Sequence, residues 1–540
     1  MAQMTAAVPE DDFDLDEAAR LDDASTLGRG GTLNAIGAAC FAISAFALVT
    51  ILTRSLGARG AGAFLESVAV FSIVSRASVL GADLGLVRFV SRFRGMGRIG
   101  SIRPMIAIAL VPVLAVSSTI ALGLFVLAEP VGRLVADAIT EDQVASYLRL
   151  LAPFIPVGAV YLTLDGCAQG FGSMVPSVVV ERIGRPLIVA LLVLGAVVID
   201  TSTTALALTW ATPWAIALVA MSLWVTRLLT ASERTGSSGS HVGRGALARR
   251  FWRFSIPRSL GALLQLGILW ADTLLIGALA STKEAGIYAA STRFLIVGAF
   301  AGLAITTAFA PQISSLLARS ERARASSLFQ TATVWLILLA WPIYLTVAIF
   351  APVLVGAFGE GFSEGAVVLP IVAAGFLYAS SCGPIDALLL MGGRSTLSMM
   401  NNLIALAANI ILNLVLIPSM GLRGAAIAWT TSIVLTNLLP TLEVRHTLGY
   451  HPYGRAWFRA VAIAAVTVAI PLLAARGLIG ADRAGLAVGL VLAGIAYTVT
   501  VHSQREHFHL DAFLAGLRRR EAGAPQPGDP AVLPSATTPQ

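Results

Sequence analysis

The stretch VFSIVSRASVLGADLGLVRFV, Val70–Val90, is apolar enough to lie in hydrocarbon, yet it carries Arg76 and Asp83. Even on lenient insertion scales a charge at the centre of a bilayer costs about 2.5–3.5 kcal/mol. The stretch reads as a membrane-spanning helix whose interior charges serve a purpose, either locking helices together or handling something that crosses.

The rest of the chain supports the membrane reading. Of its 540 residues 56% are hydrophobic and only 12% charged, with a mean hydropathy of +0.81. A soluble domain is nearer 25% charged. Apolar runs of bilayer length recur along the sequence, and breaking it at Gly, Pro and charge clusters predicts about fourteen transmembrane helices. The expected fold class is an all-α polytopic membrane protein. Residues 1–29, acidic and lacking an apolar core, are expected to be a disordered tail rather than a signal peptide. Residues 502–540 end Pro-rich and are expected to be a second disordered tail.

The net charge of +7 comes almost wholly from Arg, since Lys283 is the only lysine. The arginines cluster between apolar runs, where the positive-inside rule places them, so nucleic-acid binding is a poor reading. One set of loops holds Arg88, Arg92, Arg94, Arg98 and Arg103, then Arg244, Arg249, Arg250 and Arg253, and continues through Arg319–Arg324, Arg445–Arg459 and Arg518–Arg520. The alternate loops are short and partly acidic, as in Glu129–Asp142, Glu360 and Glu364. This assigns the Arg-rich side to the cytoplasm of the cytoplasmic membrane, with both termini on that side. The cysteines Cys40, Cys167 and Cys382 fall within expected spans and read as small packing residues.

The chain also looks duplicated. ARGAGAFLES (58–67) parallels TKEAGIYAAS (282–291) at an offset of 224, and LDGCAQGFGS (164–173) parallels IDALLLMGGR (385–394) at 221. Asp165 and Asp386 mark the second match, each seven residues before a loop glycine. The offsets predict an N-terminal lobe of six helices over 30–229, a basic linker over 230–253 and a C-terminal lobe of six over 254–443. Two further helices follow over 456–501. An even number of helices per half gives parallel repeats related by an axis along the membrane normal.

The segments TRSLGARGAGAF, GADLGLVRFVSRF, WADTLLIGALASTKEAGIYAAS and NIILNLVLIPSMGLRGAAIAW, taken in order, resemble the Wzx-type polysaccharide exporters of the multidrug/oligosaccharidyl-lipid/polysaccharide (MOP) superfamily. The resemblance spans roughly residues 30–500. It implies a MATE-like arrangement of six, six and two helices around a central cavity. It also implies alternating access that moves a polyprenyl-diphosphate-linked oligosaccharide to the outer leaflet, in company with glycosyltransferases or a glycan polymerase.

Such a substrate needs a wet cationic cavity for its head and a side opening for its tail. Arg suits a diphosphate because it stays protonated and bonds phosphate oxygens bidentately. Arg76 and Asp83, seven helical steps apart, are expected on one helix face about 20° out of register. They are either a phosphate contact with its orienting acid or a structural pair. Glu66 lies near the outer end of the same helix, about 80° around it. Glu181 and Arg185, at i,i+4 before Pro186, are either an intrahelical ion pair or groups that meet the substrate. Asp272 and Arg293, about equally far from the hairpin at Lys283–Glu284, are expected to meet, as an outer gate, a coupling site or a helix staple. Arg258 follows Pro257 and is either a second phosphate contact or an interfacial anchor. Asp165 and Asp386 are expected to bond loop backbone donors, or to form an inner gate. Asn402, Asn409 and Asn413 share a helix face that suits interhelical bonding better than sugar recognition. Trp210, Trp214 and Trp224 need only be belt or packing.

No residue set calls for a cofactor or a metal ion, and no catalytic residue is assigned. A Walker A loop needs Gly-Lys-[Ser/Thr], and the single lysine follows Thr282, so the chain cannot drive transport with ATP by itself. A proton, a sodium ion, the membrane potential or the glycan gradient must supply the drive. Two readings of the same superfamily stay open, a multidrug/cation antiporter and a lipid II flippase. A membrane glycosyltransferase, polymerase or ligase is the reading from another class. It is weakened because His241, His446, His451, His502, His507 and His509 all fall in loop or tail positions on the Arg-rich side.

Overall fold

The computed structural model describes residues 11–199, 202–235, 244–359, 361–505 and 507–508. Every regular element among them is a helix. Eleven helices are long and apolar enough to cross a membrane, or twelve if the pair Glu141–Leu151 and Phe154–Gly170, bent by 53°, counts as one more. The expected fourteen exceeds this count. Part of the difference is Gly37–Ser78, counted once although its 42 residues are about twice a bilayer's thickness. At Gly57 (φ 68°, ψ −177°) that helix breaks direction, in a conformation that glycine adopts cheaply.

Apolar side chains gather in two main clusters. One draws on residues from Leu52 to Phe251, the other chiefly on Ile276 to Tyr450. Other large apolar side chains face outward, among them Leu122, Leu191, Val198, Ile199 and Leu478. Water would not tolerate that belt, and hydrocarbon does. Of the last two spanning helices, Arg455–Leu478 docks on Arg322–Ile349 and Arg483–Ser503 packs chiefly on Arg455–Leu478. Tyr497 Oη donates to the Leu338 carbonyl, and Arg476 Nη1 donates to the Ile349 carbonyl at 2.5 Å.

The ends and the linker depart from expectation. Residues 11–29, expected as a disordered tail, are the start of helix Asp11–Ser78. Ala, Leu, Glu and Arg favour helix, and no Gly or Pro interrupts the run before Gly28. The linker is short for the same reason. Helix Thr203–Thr235 extends past residue 230, and helix Arg244–Leu279 begins ten residues before 254. The centre of the linker, 236–243, lies outside the described residues, as do 1–10 and almost all of the second tail.

Positions related by the repeat do matching things. Gly172 (φ 77°) and Gly393 (φ 78°), 221 residues apart, both take a left-handed conformation. Asp165 accepts a hydrogen bond from Ser177 Oγ, and Asp386 accepts one from Ser398 Oγ at 2.6 Å. Each pair is 12 residues apart in sequence. The expected bonds to loop backbone are therefore bonds to a serine one helix on. A hydrogen bond to a charged group contributes about 1.5–3 kcal/mol. Ser398→Ala should lower stability by that amount and Ser398→Thr by much less, as read by denaturant titration in detergent.

Candidate functional site

The stretch that opens the sequence does not form one helix. The first helix stops at Ser78, and Leu80 (φ 55°) and Gly81 (φ 72°) turn the chain before helix Ala82–Gly95 begins. A left-handed leucine costs about 1–2 kcal/mol, so the surroundings must impose the break. Two contacts do so. A Cβ on Gly81 would lie 2.3 Å from the Ser255 carbonyl oxygen, and one on Gly166 would lie 2.4 Å from the Asp83 carbonyl oxygen. Arg76 and Asp83 still pair, at 2.8 Å, but across the break and not along a helix face. The Arg76 side chain is 27% exposed, whereas Asp83 Oδ1 is buried without a partner.

Glu181 and Arg185 pair as the spacing requires, at 2.5 Å, within a π-helical turn (Ser177–Gly184) that leads into helix Arg185–Ile199. Pro186 has no N–H to continue the regular ladder, which accounts for a turn wound differently just before it. The Arg185 guanidinium lies over the Trp214 ring, 4.1 Å from its centroid. Trp210 and Trp214 are buried and pack on Phe71, so they belong to the core and not to an interfacial belt.

Asp272 and Arg293 do not meet. Asp272 is buried and fully engaged: Tyr288 Oη donates to it at 2.8 Å, Asn409 Nδ2 at 2.8 Å and Asn413 Nδ2 at 2.7 Å. Asn413 also donates to Asn409 Oδ1, and its own Oδ1 is buried without a partner. The polar stripe of helix Ser395–Met420 is thus partly interhelical bonding, with Asn401 donating to Glu443. Asn401, not Asn402, shares the buried face with Asn409 and Asn413. Arg293 lies over Trp270, 5.7 Å from the ring centroid, with its Nε buried and unbonded. It has no carboxylate within ion-pair distance among the described residues. Equal distance from a hairpin does not set the direction that each residue faces around its helix.

A separate hydrogen-bond network joins Glu66, Asp137, Thr140 and Thr282. Thr140 Oγ1 donates to Asp137 Oδ1 at 2.9 Å and lies 2.7 Å from Thr282 Oγ1, and Thr282 Oγ1 donates to Glu66 Oε2 at 3.3 Å. The Thr282 backbone N–H donates to Asp137 Oδ2 at 3.1 Å, and the Asp137 N–H donates to Thr282 Oγ1 at 3.2 Å. Glu66 is wholly buried, and its second oxygen has no partner. Burial works against ionisation of Asp137. Hydrogen bonds from the Thr140 hydroxyl and from the N–H groups of Thr282, Ile139 and Thr140 outweigh it and hold its pKa below the ordinary aspartate value. With a lowered value the bonds are present above the ordinary pKa, about 3.9, and are lost only as pH falls through the depressed one. The hydrogen bonds to Asp137 are therefore present at neutral pH.

Beside this network the repeats cross at glycine. A Cβ on Gly62 would lie 2.0 Å from the Thr282 carbonyl oxygen, and one on Gly286 would lie 2.1 Å from the Ala58 carbonyl oxygen. Residues 58 and 282, like 62 and 286, are 224 apart, so the contact is reciprocal about a two-fold. Thr282, Asp137, Thr140, Gly62 and Gly286 were not singled out from sequence. The Ala-Gly pair shared by the two repeat segments, Ala61-Gly62 and Ala285-Gly286, was the available signal.

Arg258 is exposed and rests on Phe254, 4.0 Å from the ring centroid. Asp386 lines a cavity of about 380 Å³ in the C-terminal half with Tyr344, Phe376 and Asn437. Among the described residues Arg76, Arg185, Arg258 and Arg293 share no hydrogen-bond, ion-pair or ring partner with one another.

A polytopic helical bundle with these features has the fold of the MOP transporters. A multidrug resistance MATE family transporter of the MOP superfamily, solved inward-facing, is 15% identical with a TM-score of 0.60, covering 77% of this chain and 98% of that one. The lipid II flippase MurJ, in an inward closed conformation, is 12% identical with a TM-score of 0.55, covering 82% and 99%. The MatE family model matches residues 257–415, most of the C-terminal half. The probable low-salt glycan biosynthesis flippase Agl15 of Haloferax volcanii is 25% identical over 188 residues, 35% of this chain and only 39% of that one. Stage V sporulation protein B of Bacillus subtilis is 24% identical over 416 residues, covering 74% and 79%.

Proposed function

We propose that this protein flips a polyprenyl-diphosphate-linked oligosaccharide from the inner to the outer leaflet by alternating access. The observation that carries the reading is Arg293, the first residue of helix Arg293–Ala318, a guanidinium with no carboxylate within ion-pair distance among the described residues. Arg76 and Arg185, by contrast, each pair with a carboxylate. One without a carboxylate fits a passenger that brings its own negative charge. The printed names of Agl15 and MurJ, both flippases, point the same way. In this reading the Arg-rich face is cytoplasmic and the Thr282 network closes the outer side. Arg76 and Arg185 exchange their carboxylates for phosphate as the head passes, so Asp83 and Glu181 act as resetting groups.

Asp272 is the coupling group of this proposal. It sits between amide side chains whose oxygens become ligands if the amides turn, a donor set that suits a proton or a small cation. Asp272→Asn should leave flipping insensitive to sodium and to a pH gradient. Proteoliposomes with each gradient imposed test this, and full gradient dependence in the variant would falsify the assignment. A multidrug/cation antiporter is the second reading. The uncompensated Asp272 favours it, because a buried acid without a counter-charge also attracts organic cations. Drug uptake by the same vesicles separates the two.

A further inference from the structure

Arg88 and Arg258 converge on one ring. Arg88 belongs to helix Ala82–Gly95 in the N-terminal half, and Arg258 to helix Arg244–Leu279, which begins the C-terminal half. Their Cζ atoms lie 4.4 Å and 4.0 Å from the Phe254 centroid. The guanidiniums are thus no further apart than those two distances laid end to end, about 8 Å. Both residues are exposed, and neither has an ion-pair or hydrogen-bond partner among the described residues. An arginine that only reaches for headgroups can point anywhere along the interface. Here two helices aim like charges at one place.

The backbone fixes that placement. A Cβ on Gly85 would lie 2.2 Å from Ser255 Oγ and 2.6 Å from the Phe251 ring, so the crossing leaves no room for a side chain there. Phe89 packs on both Phe251 and Phe254, at ring separations of 5.7 Å and 6.0 Å, and backs the shared ring with apolar surface. The result is a two-point cation site built before any ligand arrives, which lowers the ordering cost of binding.

We infer that Arg88 and Arg258, one from each half and separated by Phe254, form a receiving site for a diphosphate at the Arg-rich mouth, distinct from Arg293. Each guanidinium takes one phosphate through bidentate bonds of about 2.7–2.9 Å, and adjacent phosphates span the gap. Because the two arginines belong to different halves, an occupant also ties the halves together at that end. The inference rests on the flippase reading for its ligand. Phosphate chemistry is shared by a prenyl diphosphate and an anionic phospholipid, and the site is assigned to the diphosphate because it offers two guanidiniums for two phosphates.

Binding of farnesyl diphosphate to the full chain in detergent tests it. Arg88→Gln and Arg258→Gln should each weaken binding about tenfold and together about 100-fold, with Arg88→Lys recovering part. Phe254→Leu, which keeps both charges, should weaken it less than either. Pyrophosphate should compete in the parent and not in the double variant. Equal competition by phosphatidylglycerol would make the pair a lipid-headgroup anchor and overturn the diphosphate assignment. Loss of binding in Arg293→Gln with none in the Arg88 and Arg258 variants would overturn this site and leave the flippase reading standing. No binding by the parent chain would overturn both.

Discussion

Arg293→Gln should insert and fold like the parent chain and flip a polyprenyl-diphosphate sugar at least about 100-fold more slowly. A bond between a charged donor and an acceptor contributes about 1.5–3 kcal/mol, and a bidentate guanidinium makes two. At 1.4 kcal/mol per factor of ten, losing both exceeds 100-fold. Folding should survive because Arg293 has no carboxylate to orphan, and removing an unpaired charge from a low-dielectric site relieves a cost. Arg76→Gln and Arg185→Gln differ in this respect. They leave Asp83 and Glu181 without their partners, so lost activity there mixes a transport defect with a stability defect. Arg293→Lys should fall between, keeping the charge and losing the fork. Near-parental flipping by Arg293→Gln would remove this residue from the mechanism.

Gly62→Val and Gly286→Val should abolish closure of the Arg-poor face, and with it at least 99% of transport. The atoms in the way are backbone oxygens at 2.0 Å and 2.1 Å, which cannot swing aside as a side-chain tip does. The reciprocity of the crossing makes a sharper demand. The two variants should fail to a similar degree, and the double variant should be little worse than either. An Ala285→Cys reporter, at a position wholly buried in this structure, should react with a membrane-impermeant thiol reagent from outside in both variants and resist it in the parent. A parent-like rate in either glycine variant, with the reporter still protected, would show that the crossing can open and close around a larger side chain.

Some of this site is legible in sequence. The 3.6-residue period places Glu181 and Arg185 on one side of a turn, and they pair there. Rare acids in apolar runs flag Asp165 and Asp386, whose matching serine bonds then appear at one spacing. What fails is whatever depends on a direction around a helix or on a partner far along the chain. Arg76 and Asp83 pair as expected, but through a break that Leu80 conceals, since nothing about a leucine announces a left-handed backbone. Asp272 looks to be in want of a cation, and the structure satisfies it with amides 137 and 141 residues away. The glycine crossing hides among 50 glycines, and only the partner's backbone shows which two matter. The acidic segment over 11–29 has a composition that serves a tail and a helix equally well, so charge alone misassigns it.

The most direct measurement is flipping by the parent chain reconstituted in liposomes, using a fluorescent prenyl-diphosphate sugar on one leaflet and, in parallel vesicles, an organic cation. The account predicts that the diphosphate sugar crosses, that Arg293→Gln stops it, and that the cation is not moved. Transport of the cation with the lipid-linked sugar left where it began would contradict it.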